Sequence, residues 1–360
     1  MSNVGDWAAE RKWTCPLNRR GARGVTRGPA KWLFAWLALG LCLGAGPIAR
    51  AGTITAWGYS GDGLANVPSG DDFTAIAAGG GNWALALRYS GTIAAWGYDL
   101  YGAVSNAPTS SGFTAIAAGF HHGYALRADG SIAAWGWDSQ GQVSNTPGGT
   151  GFTAIAAGLS HGYALRTDGS IAAWGQDVSG SVSNTPTGTG FLAVAAGYYC
   201  GFALRADGSI AAWGDDGLGP VSSAPTATGF TKISGRGYNG LALTANGGLV
   251  GWGWDNSGVV SGTPTGVGFS DMAVSSNHAY ALRADGSIAA WGLDQYGSVF
   301  NTPTGTGFTA LAAEGGYGLA LGPAQPAVPE PSLLALAGMG VVALCGRHLH
   351  RRAGEQVASR

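Results

Sequence analysis

The chain has 360 residues, of which 65 are glycine, 46% are hydrophobic and only 11% are charged. This composition excludes a coiled coil, a helix bundle and a charge-rich disordered protein, and glycine does not recur at every third position as in collagen. Residues 1–51 hold eight Lys/Arg against two Asp/Glu, whereas residues 52–327 hold seven against sixteen, a net charge of about −9. Because nucleic-acid binding needs clustered Lys and Arg, we expect no nucleic-acid partner.

Residues 1–51 have the organisation of a secretory signal peptide. Basic residues continue as far as Lys31, and an apolar run follows from Trp32 to Gly44. Ala49-Arg50-Ala51 then forms an A-x-A cleavage pattern directly before Gly52. This order predicts that the leader is removed during export.

A Trp-Gly pair recurs along the body of the chain at a constant interval of 39 residues. The repeated tryptophans are Trp57, Trp96, Trp135, Trp174, Trp213, Trp252 and Trp291. A fixed period of this length is typical of a solenoid, a propeller or a repeat array. We predict that the seven tryptophans are core residues that pack one repeat against the next.

One full unit, residues 113–151, contains short β-compatible runs separated by turn signals. The runs are Phe113–Ala118, Tyr124–Arg127 and Ser131–Trp135, and Asp129-Gly130 between the last two is a hairpin signal. The unit has no room for a helix of ten residues. Three or four short strands at a period near 40 predict one blade of a β-propeller.

The two ends of the repeat region predict how the ring closes. The region starts with the back half of a unit, residues 53–68, and ends with a front half, residues 308–321. Joining the two halves completes a seventh unit and removes exposed strand edges. The sequence therefore predicts an all-β, seven-bladed β-propeller over residues 52–322, closed by a split blade.

The repeat motifs resemble a known family. Ala-Ala-Gly-x-x-His-x-Tyr-Ala-Leu at residues 117–126 and Asp-Gly-Ser-Ile-x-x-Trp-Gly at residues 129–136 are similar to the regulator of chromosome condensation repeat. The resemblance covers residues 53–321 and implies a seven-bladed propeller. The short units are closer to the bacterial secreted branch, which includes a β-lactamase inhibitor protein. The nucleotide-exchange role of the eukaryotic members does not fit an exported chain.

The C-terminal region has three parts in a fixed order. A Pro-rich linker, residues 323–331, contains Pro329-Glu330-Pro331, and the segment 332–360 combines an apolar run with a basic end at Arg347, Arg351 and Arg352. One interpretation of the apolar run is a buried terminal helix. The order resembles the PEP-CTERM sorting signal, apart from eight extra residues at the end. The resemblance implies an exosortase-type processing enzyme, a short apolar anchor helix held transiently in the inner membrane, and delivery to the envelope or matrix of a Gram-negative-type bacterium.

Two further patterns allow more than one interpretation. An aspartate lies three residues after most of the repeated tryptophans, at Asp99, Asp138, Asp177, Asp216, Asp255 and Asp294. These carboxylates could form an acidic ring for a cation, or an Asx-type turn in each blade, which we favour. Residues 235–240 match the dinucleotide pattern GxGxxG, but no helix is predicted to follow, so we expect no phosphate site there.

Two loops differ most among the repeats, and we expect both on one face of the propeller. One follows Ala-Ala-Gly and the other follows Trp-Gly, and turns alternate between the two faces of an antiparallel blade. Aromatic side chains suit a recognition surface, although some of these rings could instead cover the central channel. The predicted ligand-binding residues are Trp83, Phe120, His122, His161, Tyr198, Tyr199, Tyr238, Tyr98, Trp137 and Trp254.

No catalytic motif is visible, and we predict no catalytic residue, no metal and no cofactor. The leading hypothesis is a non-enzymatic binding or adhesion module that recognises a polysaccharide or a protein. The alternative is a secreted protein inhibitor of an enzyme, by analogy with the β-lactamase inhibitor branch. An envelope enzyme acting on polysaccharide is a third hypothesis, because a pair of distant carboxylates could meet in space.

Overall fold

The computed structural model describes residues 52–323, which form short strands joined by turns. These residues contain no α-helix, and the one 3-10 segment is Leu100–Gly102. The strands in chain order are β1 (Thr53–Gly58), β2 (Phe73–Gly79), β3 (Trp83–Arg88), β4 (Ile93–Gly97), β5 (Phe113–Ala118), β6 (His122–Arg127), β7 (Ile132–Gly136), β8 (Phe152–Ala157), β9 (His161–Arg166), β10 (Ile171–Gly175), β11 (Phe191–Ala196), β12 (Cys200–Arg205), β13 (Ile210–Gly214), β14 (Phe230–Arg236), β15 (Asn239–Thr244), β16 (Leu249–Gly253), β17 (Phe269–Val274), β18 (His278–Arg283), β19 (Ile288–Gly292), β20 (Ala310–Glu314) and β21 (Tyr317–Gly322).

The strands form seven antiparallel sheets of three strands each, and we call these sheets blades 1 to 7. Blades 1 to 6 are β2–β4, β5–β7, β8–β10, β11–β13, β14–β16 and β17–β19, and blade 7 combines β20, β21 and β1. The first strand of each blade contacts the first strand of the next, and β20 of blade 7 contacts β2 of blade 1. This closed ring confirms the predicted seven-bladed β-propeller.

Blade 7 joins the start of the described chain to its end. Strand β1 pairs with β21 in continuous register, from Thr53 opposite Gly322 to Gly58 opposite Tyr317. The N–H of Gly52 also donates to the carbonyl of Phe73 in blade 1 at 3.0 Å. The predicted split blade is confirmed, and it gives both terminal strands hydrogen-bonding partners.

The repeated tryptophans lie between adjacent blades. All seven are at most 8% exposed, and six donate the indole N–H to a backbone carbonyl in the loop of the preceding blade. Trp174 of blade 3, for example, donates to the carbonyl of Gln142, which follows blade 2, at 3.0 Å. Six of the seven tryptophans, all except Trp96, therefore add a directed hydrogen bond to the apolar packing between blades.

The hairpin between the second and third strands repeats with little change. In blade 2, Gly130 adopts a φ of 78°, which favours glycine, and Asp129 Oδ1 accepts the N–H of Ser131 at 2.8 Å. The guanidinium of Arg127 lies 5.1 Å from the ring centroid of Phe113 in the same blade. These contacts account for the repeated Asp-Gly pairs as structural turns.

The inner strands surround an axial channel with a volume of about 280 Å³. Its lining is mostly alanine and isoleucine, but Lys232 of blade 5 and Asp271 of blade 6 form an ion pair of 3.2 Å. The predicted leader and the predicted C-terminal segments lie outside the described residues, so both remain predictions. Within residues 52–323, no helix is long and apolar enough to span a membrane.

Candidate functional site

The two variable loops of each blade lie side by side on one face, which we call the loop face. The inner loops connect the first and second strands of a blade, and the outer loops follow the Trp-Gly pairs. The N–H of Tyr98 in an outer loop donates to the carbonyl of Asn82 in the inner loop of the same blade at 2.8 Å. Trp137 makes the same bond to His121 at 2.9 Å. The backbone therefore joins the loops into one surface.

The aspartate three residues after six of the seven repeated tryptophans shapes the outer loop. In blade 3, Asp177 Oδ1 accepts the N–H groups of Val182 at 2.9 Å and Ser183 at 3.1 Å. The backbone hydrogen bond from Val182 is the main reason that the pKa of Asp177 lies below its usual value. The same pair of bonds recurs at Asp99, Asp138, Asp216, Asp255 and Asp294. The aspartates therefore have the structural role that we favoured, but each bonds to N–H groups five and six residues further on, not two, so the loop is not an Asx-type turn.

Three predicted binding residues are buried and cannot form part of the surface. Trp83, His122 and His161 are each 0% exposed. Each is the first residue of the second strand of its blade. This strand begins earlier than the sequence indicated. Their side chains point into the structure, and Trp83 donates its indole N–H to the carbonyl of Phe120 in the next blade at 2.9 Å. The prediction was wrong for these three residues, because each lies in a strand, and its position there directs the side chain between the blades.

The same repeat position is buried in every blade. Its seven occupants are Trp83, His122, His161, Cys200, Asn239, His278 and Tyr317, all at most 1% exposed. Tyr317 of blade 7 donates its hydroxyl to the carbonyl of Trp83 in blade 1 at 2.6 Å. Burial lowers the pKa of His122 to about 3 and that of His161 to about 4, so both imidazoles are neutral near pH 7. In blades 1, 5 and 7 this position links neighbouring blades through hydrogen bonds of Trp83, Asn239 and Tyr317.

The other seven predicted residues reach the surface and form two groups. Tyr98 is exposed, while Phe120, Trp137, Tyr198, Tyr199, Tyr238 and Trp254 are partly exposed. In blades 4 and 5, the rings of Tyr198 and Tyr238 pack edge to face with centroids 5.6 Å apart, and Trp254 donates its N–H to the carbonyl of Tyr238 at 3.1 Å. The second group lies at blades 1 and 2.

The second group includes two residues that the sequence prediction omitted. The ring of Tyr101 stacks on that of Trp137, with centroids 5.7 Å apart and an interplanar angle of 20°. The ring of His121 meets Phe120 at 4.5 Å and Tyr101 at 5.7 Å. The signal that could have found Tyr101 is its repeat position, five residues after Trp96, where the side chain changes from blade to blade.

A buried ion pair closes the loop-face end of the axial channel. Arg236 occupies the position of the glycine in Ala-Ala-Gly, and its guanidinium contacts the carboxylate of Glu314 in blade 7. Its Nη1 also donates to the carbonyls of Ala118 at 3.0 Å and Ala157 at 3.2 Å. Burial raises the pKa of Glu314 and the Arg236 charge opposes that shift. Residues 235–240, the GxGxxG match, form a hairpin between β14 and β15.

Comparison with known protein families decides what kind of repeat this is. The model described as the regulator of chromosome condensation (RCC1) repeat matches residues 113–142 and 152–181, in blades 2 and 3. These two stretches are RCC1 repeats. The PEP-CTERM protein-sorting motif matches residues 327–352. No curated protein sequence matches the chain.

Solved structures with similar folds include several RCC1 propellers. Prp20p of Saccharomyces cerevisiae, reported with its binding properties to Gsp1p and histones, has a TM-score of 0.63 at 16% identity, covering 80% of this chain and 94% of that one. Human WBSCR16 has a TM-score of 0.61 at 16% identity, covering 75% and 100%. The ectodomain of the receptor kinase CR4 of Physcomitrella patens has a TM-score of 0.56 at 22% identity, covering 71% of each chain. At these identities the similarity shows the fold alone.

Proposed function

We propose that this RCC1-repeat protein is a non-enzymatic binding or adhesion module of the bacterial cell envelope, which recognises a polysaccharide or a protein through its loop face. The PEP-CTERM motif indicates export, targeting to the cell envelope and processing by an exosortase. We further propose that residues 332–360 hold the protein transiently in the inner membrane of a Gram-negative-type cell. The excess of acidic residues in the propeller argues against a nucleic-acid ligand.

One observation carries this proposal: variable aromatic side chains at the surface are concentrated on one face of the regular ring, whereas the hairpin face exposes Tyr89 of blade 1. The hairpin face repeats the same Asp-Gly turn in blades 2, 3, 4 and 6. On the loop face, by contrast, Tyr98, Trp137 and Tyr198 occupy positions where other blades carry unrelated residues. A scaffold that holds different side chains at equivalent positions is suited to selective binding.

The experiment measures binding of the secreted protein to its own surroundings. Protein secreted by the source bacterium is purified and mixed with isolated cell envelope and extracellular matrix, and the bound fraction is determined. The variant Tyr198→Ala/Tyr199→Ala changes the loop face, and Ser131→Ala/Ser170→Ala/Ser209→Ala changes the hairpin face as a control. We expect the first variant to bind less and the second to bind normally.

Thermal unfolding of both variants shows whether the propeller remains folded. A loss of binding confined to the hairpin-face variant, with the loop-face variant unchanged, would contradict the proposal. Failure of the unaltered protein to bind any envelope or matrix fraction would also contradict it.

A further inference from the structure

Aromatic residues of the outer loops are concentrated on one half of the ring. Two positions in each outer loop project at the surface, namely the second and the fifth residue after the repeated tryptophan. In blades 6, 7, 1 and 2 the aromatic residues at these positions are Tyr296, Tyr59, Tyr98, Tyr101 and Trp137. In blades 3, 4 and 5 the same positions hold Gln176, Ser179, Asp215, Leu218, Trp254 and Ser257. One half of the loop face is therefore different from the other.

Direct contacts connect these residues in two runs, one from Tyr296 to Tyr98 and one from Tyr101 to Trp137. The rings of Tyr296 in blade 6 and Tyr59 in blade 7 lie with centroids 5.1 Å apart. The Tyr59 hydroxyl donates to Asp62 Oδ2 at 2.9 Å, and Asn82 Nδ2 of blade 1 donates to the same oxygen at 3.0 Å. The carbonyl of Asn82 then accepts the N–H of Tyr98. Tyr101 follows Tyr98 in the same outer loop and packs on Trp137. We call the two runs together the aromatic arc.

The arc contains the same inter-blade pair of rings twice. Tyr101 packs on Trp137, and Tyr296 packs on Tyr59, so in both cases a fifth-position residue meets the second-position residue of the next blade. Tyr101 and Tyr296 share a φ of 58°, which is unfavourable for a bulky side chain. They remain 55% and 59% exposed. The backbone thus holds two large rings at the surface in a conformation that costs free energy.

We propose that the aromatic arc binds a linear neutral polysaccharide, an inference that rests on the proposed binding function. A sugar ring offers an apolar C–H face, which packs on an aromatic ring, and hydroxyl groups, which need hydrogen-bonding partners. The arc likewise alternates between aromatic rings and polar groups, because Asp62 and Asn82 lie between its two pairs of rings. A chain of sugars that follows the arc meets a ring pair, a polar group and a second ring pair in turn.

The charge of the arc selects against an acidic polymer. The exposed carboxylates of Asp62, Asp99, Asp138 and Asp294 lie along it. Among residues 52–323, every Lys and Arg lies outside the outer loops. A polyanion would therefore meet like charges without a compensating cation. A protein partner is also disfavoured, since protein interfaces bury an apolar centre, whereas the middle of the arc is the Asp62–Asn82 pair.

The test measures the affinity of the purified secreted protein for defined oligosaccharides by calorimetry. The neutral probes are hexasaccharides of glucose, mannose and N-acetylglucosamine, and the acidic probe is a hexasaccharide of galacturonic acid. We expect one neutral hexasaccharide to bind, and its disaccharide to bind at least tenfold more weakly, because the arc extends over four blades. Binding of the acidic probe alone, or of no probe, would overturn the inference.

The variants use a residue that the repeat itself tolerates. Serine occupies the fifth position in blade 3, where Ser179 has a φ of 52°, so Tyr101→Ser and Tyr296→Ser preserve the local backbone. Each should weaken hexasaccharide binding about tenfold, as expected for the loss of one stacking surface. The matched control Leu218→Ser changes the same position in blade 4, where the leucine is 41% exposed, and should leave the affinity unchanged.

The outcomes separate this inference from the proposed function. If Tyr198→Ala/Tyr199→Ala abolishes binding to the envelope while Tyr101→Ser and Tyr296→Ser leave it intact, the loop face binds but the arc does not. A second outcome has three parts: the arc variants lose envelope binding, protease treatment of the envelope removes the same binding, and free oligosaccharide does not compete for it. In that case the ligand is a protein and the inference is overturned. If every loop-face variant keeps both envelope binding and hexasaccharide binding, both proposals are overturned.

Discussion

Arg236 of blade 5 reaches across the propeller axis to bind the carboxylate of Glu314 in blade 7, and it also donates to carbonyls of blades 2 and 3. Four blades are therefore connected by one side chain at the loop-face end of the channel. The two charges are 9% and 1% exposed, so each depends on the other for compensation.

Removing Arg236 alone should destabilise the propeller strongly. Four other blades have glycine at the equivalent position, so Arg236→Gly introduces a residue that the repeat accepts. The variant leaves the Glu314 carboxylate buried without its partner, and we expect a loss of about 3–5 kcal/mol in the free energy of unfolding. Urea unfolding measures this loss. The double variant Arg236→Gly/Glu314→Gly should recover most of it, and a double variant no more stable than Arg236→Gly would contradict this account.

Replacing a repeated tryptophan by alanine should lower the free energy of unfolding as much as opening a large cavity in the core does. Trp174 is 4% exposed and donates to Gln142, so Trp174→Ala should lower the free energy of unfolding by about 3–5 kcal/mol. Trp174→Phe retains most of the apolar volume and loses the hydrogen bond, so its cost should be smaller. Thermal and urea unfolding provide the measurement, and an unchanged stability of Trp174→Ala would argue against its role between blades.

The buried histidines should make the propeller sensitive to acid. Burial lowers the pKa of His122 to about 3 and those of His161 and His278 to about 4. Below pH 6.5 the unfolded chain binds protons that the folded chain excludes. Above pH 6.5 the histidines therefore do not change the free energy of unfolding. As the pH falls from 6.5 toward the folded pKa values, each histidine lowers the free energy of unfolding by up to about 1.4 kcal/mol per pH unit.

Unfolding measured between pH 7 and pH 4.5 checks this dependence. Asparagine occupies the equivalent position in blade 5, as Asn239, so His122→Asn/His161→Asn removes two titrating groups with a residue that the repeat accepts. The variant should lose less stability on acidification than the unaltered protein. Parallel pH profiles for the two proteins would show that these histidines are not responsible.

Processing at both ends should leave the propeller as the mature protein. The A-x-A pattern before Gly52 and the Pro-Glu-Pro segment at residues 329–331 predict the two cleavage regions. Intact-mass measurement on protein secreted by the source bacterium should give a chain that starts near Gly52 and ends near Pro331. A mass that includes residues 1–51 would contradict the leader assignment.

The periodic residues by themselves determined the architecture of this protein. Seven Trp-Gly pairs at one spacing gave the number of blades, and the half-units at residues 53–68 and 308–321 gave the way in which the ring closes. These predictions succeeded because each blade has nearly the same local packing and turn chemistry, so the signal is repeated along the chain. The structural role of the outer-loop aspartates followed for the same reason, although the type of turn did not.

The tertiary structure alone decided which non-repeating residues meet. His122 looks like a loop residue in the sequence, yet its place at the start of β6 turns it between two blades and buries it. Arg236 and Glu314 are 78 residues apart and differ from the glycine common to most blades, but ring closure brings their charges together across the axis. Such contacts depend on blades that are not neighbours in the chain, and a pattern that repeats within each blade carries no information about them.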